Sequence, residues 1–224
     1  MISKHRVIFL FTLICLMCIN FSFSQEQNSR KEKLIINRLD FYDYRGVWGL
    51  DVAAGNSIIN GDYQDPEFEI YFRGGFKYHI TSHLNFNATY NKYNLAYKEF
   101  YNKGFMSFDL NLELLLNPFG RFTPYLYAGG GYNASNYFEE TSNKVQGGFG
   151  VEVIVLEHLG LKIFGEYNHA FTDELDEMTT GDTDDVFYRI GLGLNVYFGG
   201  QKKREKLSKK IKTVINSNPI VPNN

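Results

Sequence analysis

The sequence predicts an all-β protein, an eight-stranded antiparallel transmembrane β-barrel with up-and-down topology. Three observations predict it. After residue 44, apolar and polar residues alternate with period two through eight successive segments. Each segment holds about 10 residues, the length a tilted strand needs to cross a bilayer. The mean hydropathy is -0.28, too low for a bundle of membrane helices but compatible with strands that are apolar on one face only.

The chain is 224 residues long and opens with Lys4, His5 and Arg6, then an apolar run over 7–18. Ser22-Phe23-Ser24 supplies the small residues of a cleavage site before Gln25. Residues 1–24 therefore read as a secretory signal peptide. A membrane-anchoring helix is the competing reading, and the apolar run is short for one. Met17 stands before Cys18 where a lipoprotein needs a small residue. Both cysteines, Cys15 and Cys18, fall in this leader, so the exported chain is expected to use neither thiol nor disulfide chemistry. Residues 25–43, with Leu34-Ile35-Ile36, form a periplasmic N-terminal segment that either plugs the barrel from below or stays loose.

The barrel is expected over 44–199. Its last segment shows the pattern best: Tyr188, Ile190, Leu192, Leu194, Val196 and Phe198 on one face, Arg189, Gly191, Gly193, Asn195 and Tyr197 on the other. Upstream, Trp48, Leu50 and Val52 oppose Gly49 and Asp51. Phe68, Ile70, Phe72, Phe76, Tyr78 and Ile80 oppose Glu69, Arg73 and Lys77. Leu84, Phe86, Ala88 and Tyr90 oppose Asn85, Asn87, Thr89 and Asn91. Phe108, Leu110, Leu112 and Leu114 oppose Ser107, Asp109, Asn111 and Glu113. The segment 124–134 is glycine-rich and its faces are ambiguous. Val151 and Val153 oppose Glu152, and Leu161, Ile163 and Tyr167 oppose Lys162, Glu166 and Asn168.

Free strand edges cannot be satisfied in lipid, so such a sheet closes on itself. Connections at 81–83, 117–123 and 156–158 are short; those at 56–66, 98–105, 135–144 and 172–185 are longer and more polar. Short turns face the periplasm in bacterial outer-membrane barrels, which places both termini there. A soluble eight-stranded barrel is the competitor. It would turn Asp51, Arg73, Glu113 and their partners outward and crowd the aromatic face into a narrow interior.

The terminal Asn195-Val196-Tyr197-Phe198 after an alternating strand resembles the aromatic-ended signal read by the barrel-assembly machinery. The span 44–199 resembles the small OmpA/OmpX/OmpW-like outer-membrane barrels, Bacteroidetes type. The residues Asp173-Glu174-Leu175-Asp176, Asp184-Asp185-Val186-Phe187-Tyr188-Arg189 and Tyr197-Phe198-Gly199 also resemble barrels associated with curli-type (CsgG-related) secretion. The chain lacks both a peptidoglycan-binding domain of full OmpA architecture and the pore-forming domain of CsgG, so neither activity is implied.

The inward polar face is expected to be a salt-bridged plug, with a narrow porin-like ion path as the alternative. Glu152, Lys162, Glu166 and Arg189, on adjacent strands, are expected to share a structural charge cluster. Seven carboxylates over 172–185 would suit a hard cation such as calcium, but they lack EF-hand spacing, and a solvated loop is the simpler reading. His169, with Ser135, Ser142 and Asp173 at similar height, is the best candidate base for a lipid-modifying enzyme, although no His-x-Ser spacing supports it. His79, His83 and His158 near the short turns are expected to be interfacial, with no metal site. Gly129-Gly130-Gly131 and Gly147-Gly148-Phe149-Gly150 are packing glycines, not phosphate loops. Tyr78, Phe119, Phe122, Tyr125 and Phe198 are expected in an inner aromatic girdle, and Tyr63, Tyr93, Tyr97, Phe105 and Tyr137 near the outer rim.

Charge is uneven: 44–199 carries 10 basic against 20 acidic residues, whereas 200–224 carries seven basic against one acidic. This is no nucleic-acid footprint. Leu207, Ile211, Val214 and Ile215 recur at helical spacing, so 201–216 either forms a short amphipathic helix or stays disordered. As a helix it would contact anionic lipid, peptidoglycan or a periplasmic protein. The function expected is non-enzymatic, structural or interactive, with a possible role as an accessory to surface secretion or assembly. No cofactor is implied.

Overall fold

A computed structural model of the protein describes residues 30, 32–60, 66–97, 101–138, 140–172 and 185–211. Helix α1 covers 32–44. The strands are β1 (Trp48–Asn60), β2 (Pro66–Glu67), β3 (Glu69–His79), β4 (Leu84–Tyr97), β5 (Tyr101–Leu115), β6 (Phe122–Ser135), β7 (Thr141–Leu156), β8 (Leu159–Ala170) and β9 (Val186–Phe198), followed by helix α2 (Gln201–Ser208). The leader and the acidic residues 173–184 lie outside the described residues.

Eight strands close into an antiparallel barrel. The sheet order runs β4, β3, β1, β9, β8, β7, β6, β5, and β5 pairs back onto β4. The two-residue β2 extends the edge beside the end of β4. Closure leaves no long strand edge free, which is the condition for crossing lipid.

The register places the alternation as expected. Asp51, Lys77, Asn91, Asp109, Glu152, Glu166 and Arg189 are buried inside, whereas Leu110, Phe149, Ile163 and Leu192 stand exposed on the outward face. The band of exposed apolar and aromatic side chains encircles the barrel, as on the lipid-facing side of a transmembrane barrel. The ambiguous strand β6 turns Tyr125 and Tyr127 inward. They lie opposite Gly150 and Gly148 of β7. A Cβ on Gly148 would stand 2.4 Å from the Tyr127 ring, and one on Gly150 2.5 Å from the Tyr125 hydroxyl. Glycine is needed there so that two tyrosines can lie across the neighbouring strand.

Several expectations are corrected. Tyr125 is 3% exposed and inside the barrel, not in the inner girdle. Tyr93, Tyr97 and Phe105 are at most 1% exposed and inside, not at the outer rim. Each of Tyr93 and Phe105 falls two residues beyond an inward polar position, so alternation outweighs the general affinity of rings for the interface. The connection expected over 98–105 is mostly strand: β4 and β5 pair as far as Tyr97 and Tyr101. Tyr78, Phe122 and Phe198 do stand outward at the short-turn end.

Candidate functional site: the filled lumen

Among the described residues, six acids and six bases are buried: Asp51, Asp109, Glu113, Glu152, Glu166 and Asp185 against Arg45, Arg73, Lys77, Lys144, Lys162 and Arg189. Formal charge inside is therefore balanced, and the ion pairs arrange it in tiers.

At the short-turn end, Arg45 enters from the residues that follow α1. It is fully buried. Its Nε and Nη2 donate to Glu152 Oε2 at 3.0 and 2.7 Å, and Nη2 donates to Thr123 Oγ1 at 2.8 Å. Nη1 donates to the carbonyls of Pro118 and Gly120, at 2.9 and 3.3 Å. One planar guanidinium thus ties the residues just before β1 to β6, β7 and the turn between β5 and β6. The other Glu152 oxygen accepts from Asn195 Nδ2 at 2.5 Å and from the Tyr197 hydroxyl. Phe41 lies edge-on to His79, with ring centres 5.1 Å apart. Phe41 and Arg45 therefore fill the short-turn end of the lumen.

In the next tier, Lys162 donates to Asp51, and Lys77 Nζ donates to both Glu113 oxygens at 3.0 and 2.9 Å. Asn85 and Asn87 donate to Glu113 and Asp51 at 2.8 and 3.3 Å.

Above it, Glu166 accepts from Arg189 Nε at 2.7 Å, Tyr127 at 2.8 Å, Asn168 at 3.0 Å, and from Arg73. Asp109 Oδ2 accepts from Arg189 Nη2 at 2.8 Å and from Lys144 Nζ and Asn91 Nδ2 at 2.9 Å. Arg73 also covers the Phe164 ring at 4.6 Å.

Toward the long-loop end the lumen holds an apolar layer. Tyr93 stacks between Phe105 and Phe187, centroids 6.0 and 5.2 Å away. Ile59, Tyr71, Leu95, Tyr97 and Ala170 belong to the same buried cluster. The Tyr93 hydroxyl is not left bare, since it donates to Asn133.

The expected cluster of Glu152, Lys162, Glu166 and Arg189 is thus divided. Only Glu166 and Arg189 pair with each other; Lys162 turns to Asp51 and Glu152 to Arg45. Two bases escaped the sequence reading. Lys144 shares the inward register of Gln146 and was legible from parity. Arg45 lies outside every strand, where period two says nothing. Glu69, expected inside, is only half-buried at the start of β3.

The histidines do not meet. His79 is buried against Phe41, not interfacial, while His83 faces Phe119 at 5.2 Å. No group of three or more His, Cys, Asp or Glu among the described residues is placed to hold a metal. His169 stands on the outward register beside Phe171, whereas Ser135 and Ser142 are buried on the inward side. The sheet itself separates this base from both hydroxyls. Asp173 lies outside the described residues.

Tyr197 points inward, and Phe198 points outward, paired with Trp48. In the tail, α2 covers Gln201–Ser208 with no buried residue. This is shorter than the helix expected over 201–216, because the helix gives way to a turn at 209–210. Leu207 is half-buried and Ile211 exposed; Val214 and Ile215 lie outside the described residues.

No family model matches the chain, and no curated protein matches it in sequence. Solved structures do match its fold. Neisserial surface protein A (NspA) aligns over 68% of this chain and 98% of its own, with TM-score 0.58 and 16% identity. Ail, the attachment invasion locus protein of Yersinia pestis, aligns over 67% and 99%, with TM-score 0.43 and 12% identity. The outer membrane enzyme PagL aligns over 67% and 99%, with TM-score 0.39 and 14% identity. The architecture is that of the small eight-stranded outer-membrane barrels. The curli-type resemblance finds no support in these comparisons.

Proposed function

We propose that this chain is a non-enzymatic, non-conducting barrel of a Gram-negative outer membrane with a structural or interaction role. The filled lumen carries this reading. An ion path needs mobile water beside its charged groups, but here the buried charges hold one another in three tiers. Arg45 closes one end and the ring stack on Tyr93 closes the other. Such a barrel acts through what it displays, its longer connections and the basic tail 200–224. Leu207 and Ile211 are the tail residues proposed to meet a periplasmic protein or peptidoglycan, and Tyr197-Phe198 is the proposed signal for the barrel-assembly machinery. The opposite facing of His169 and the two serines weighs against hydrolysis.

The test is conductance of the purified protein in planar bilayers under concentrated potassium chloride, paired with in-cell photocrosslinking from positions 207 and 211. Silent bilayers and a tail-dependent crosslink are expected. Steady unitary steps would restore the porin-like reading, and crosslinks unchanged by tail deletion would remove the tail as the contact.

A further inference from the structure

His79 ends β3 on the inward side of the short-turn end and is 4% exposed. Neither of its ring nitrogens has a hydrogen-bond partner among the described residues. The ring touches two others, Phe41 edge-on at 5.1 Å and Tyr197 tilted at 5.5 Å. Buried polar atoms left bare cost stability, and the ion-pair tiers of the lumen make no use of these. What an imidazole can do that its neighbours cannot is change its charge near neutral pH.

The groups that face the ring decide the consequence. Lys77, two residues earlier on β3, and Arg45, just before β1, are both cations. Glu152 of β7 is the facing acid, and both its oxygens are engaged. Oε2 accepts from Arg45, and Oε1 accepts from Asn195 and from Tyr197 of β9. Glu113 of β5 is held by Lys77 and Asn85. Asn85 pairs with His79 from β4; its amide oxygen has no donor, but it carries no charge to balance a cation. The Val47 carbonyl already accepts from the His79 amide at 2.9 Å.

A proton on His79 therefore sets a third cation beside Arg45 and Lys77 with no free acid among the described residues to meet it. A buried, unpaired charge is unfavourable in a low-dielectric interior, so something must give way. The strand residues are fixed by the closed sheet. Phe41 and Arg45 belong to no strand, and they form one turn, in which the Arg45 amide donates to the Phe41 carbonyl at 2.8 Å.

We propose that His79 is the sensor of an acid-released latch: when it is protonated, the turn Phe41–Arg45 leaves the short-turn end of the lumen and the imidazolium reaches water. The pairs Lys77–Glu113 and Lys162–Asp51 and the rings stacked on Tyr93 stay in place. Release thus frees the residues before β1 for contact without opening a path through the barrel. The open state binds one proton more than the closed state, so falling pH favours it. The latch does not involve the tail, so it holds whether or not residues 207 and 211 prove to be a contact.

The test is amide hydrogen exchange, read by mass spectrometry on the full chain folded in phosphatidylcholine vesicles. Rates are corrected for the intrinsic effect of pH. Exchange over residues 41–45 is expected to rise by up to about tenfold per pH unit as pH falls below about 6.5, while the strands stay protected. His79→Gln and His79→Phe should each remove this dependence and keep 41–45 protected in acid. Heat-modifiable migration on gels reports that each variant is folded. Exchange over 41–45 that ignores pH in the wild type overturns the latch. Acid-dependent exchange retained in both folded variants removes His79 as its sensor, and equal acceleration over the strands would mean loss of the whole barrel rather than release of a latch.

Discussion

The two ends of the barrel are sealed by different physics. At the long-loop end the seal is apolar and built from strand residues: Tyr93, Phe105 and Phe187 stack, with Ile59 and Leu95 beside them. At the short-turn end it is one charged side chain, Arg45, supplied from outside the sheet and shared among Glu152, Thr123 and two turn carbonyls. Stacked rings lose stability in proportion to the atoms removed. A buried ion pair fails as a unit, because removing one partner strands the other in a low-dielectric interior.

The largest effect is therefore expected from Arg45→Ala, a loss of about 3–5 kcal/mol in urea unfolding from vesicles. Adding Glu152→Gln should recover a large part of it, since the stranded charge is then gone. No recovery would show that Arg45 acts through packing and its carbonyl contacts. Tyr93→Ala should cost ~3 kcal/mol in the same assay, as expected for truncating a large buried ring. Recovery of a large part of that loss by adding Asn133→Ala, which removes the partner of the Tyr93 hydroxyl, would erase the contrast between the two seals. The charged tier between them gives the finest test. Replacing both Lys77 and Glu113 by Met and Leu should leave stability within about 2 kcal/mol of wild type, because a paired interior charge adds little net stability. The single Lys77→Met change should cost more than the double one.

The same contrast explains what the sequence made legible. Alternation through eight successive segments was enough for strand number, closure and the inward set Asp51, Lys77, Asp109, Glu113, Glu166 and Arg189. It equally placed Tyr93 and Phe105 inward, and reading them as rim anchors let residue type override register. The pairing of the charges was not legible. Which acid a lysine reaches depends on shear and side-chain length across the lumen, so Lys162 turned to Asp51 rather than to its strand neighbour Glu152. Arg45 was invisible for another reason: it follows a helix, and only the closed barrel presents Glu152 and Thr123 to it together.

The central claim is that the lumen is a sealed interior rather than a water-filled path. Ser107, fully buried in the tier of Arg189 between the two ends, offers the most direct test. With Cys15 and Cys18 changed to serine, Ser107→Cys places one thiol at nearly unchanged volume in mid-lumen. A small membrane-impermeant thiol reagent should fail to label it in the folded barrel and label it fully after unfolding in urea. Rapid labelling of the folded protein from either side would contradict the account.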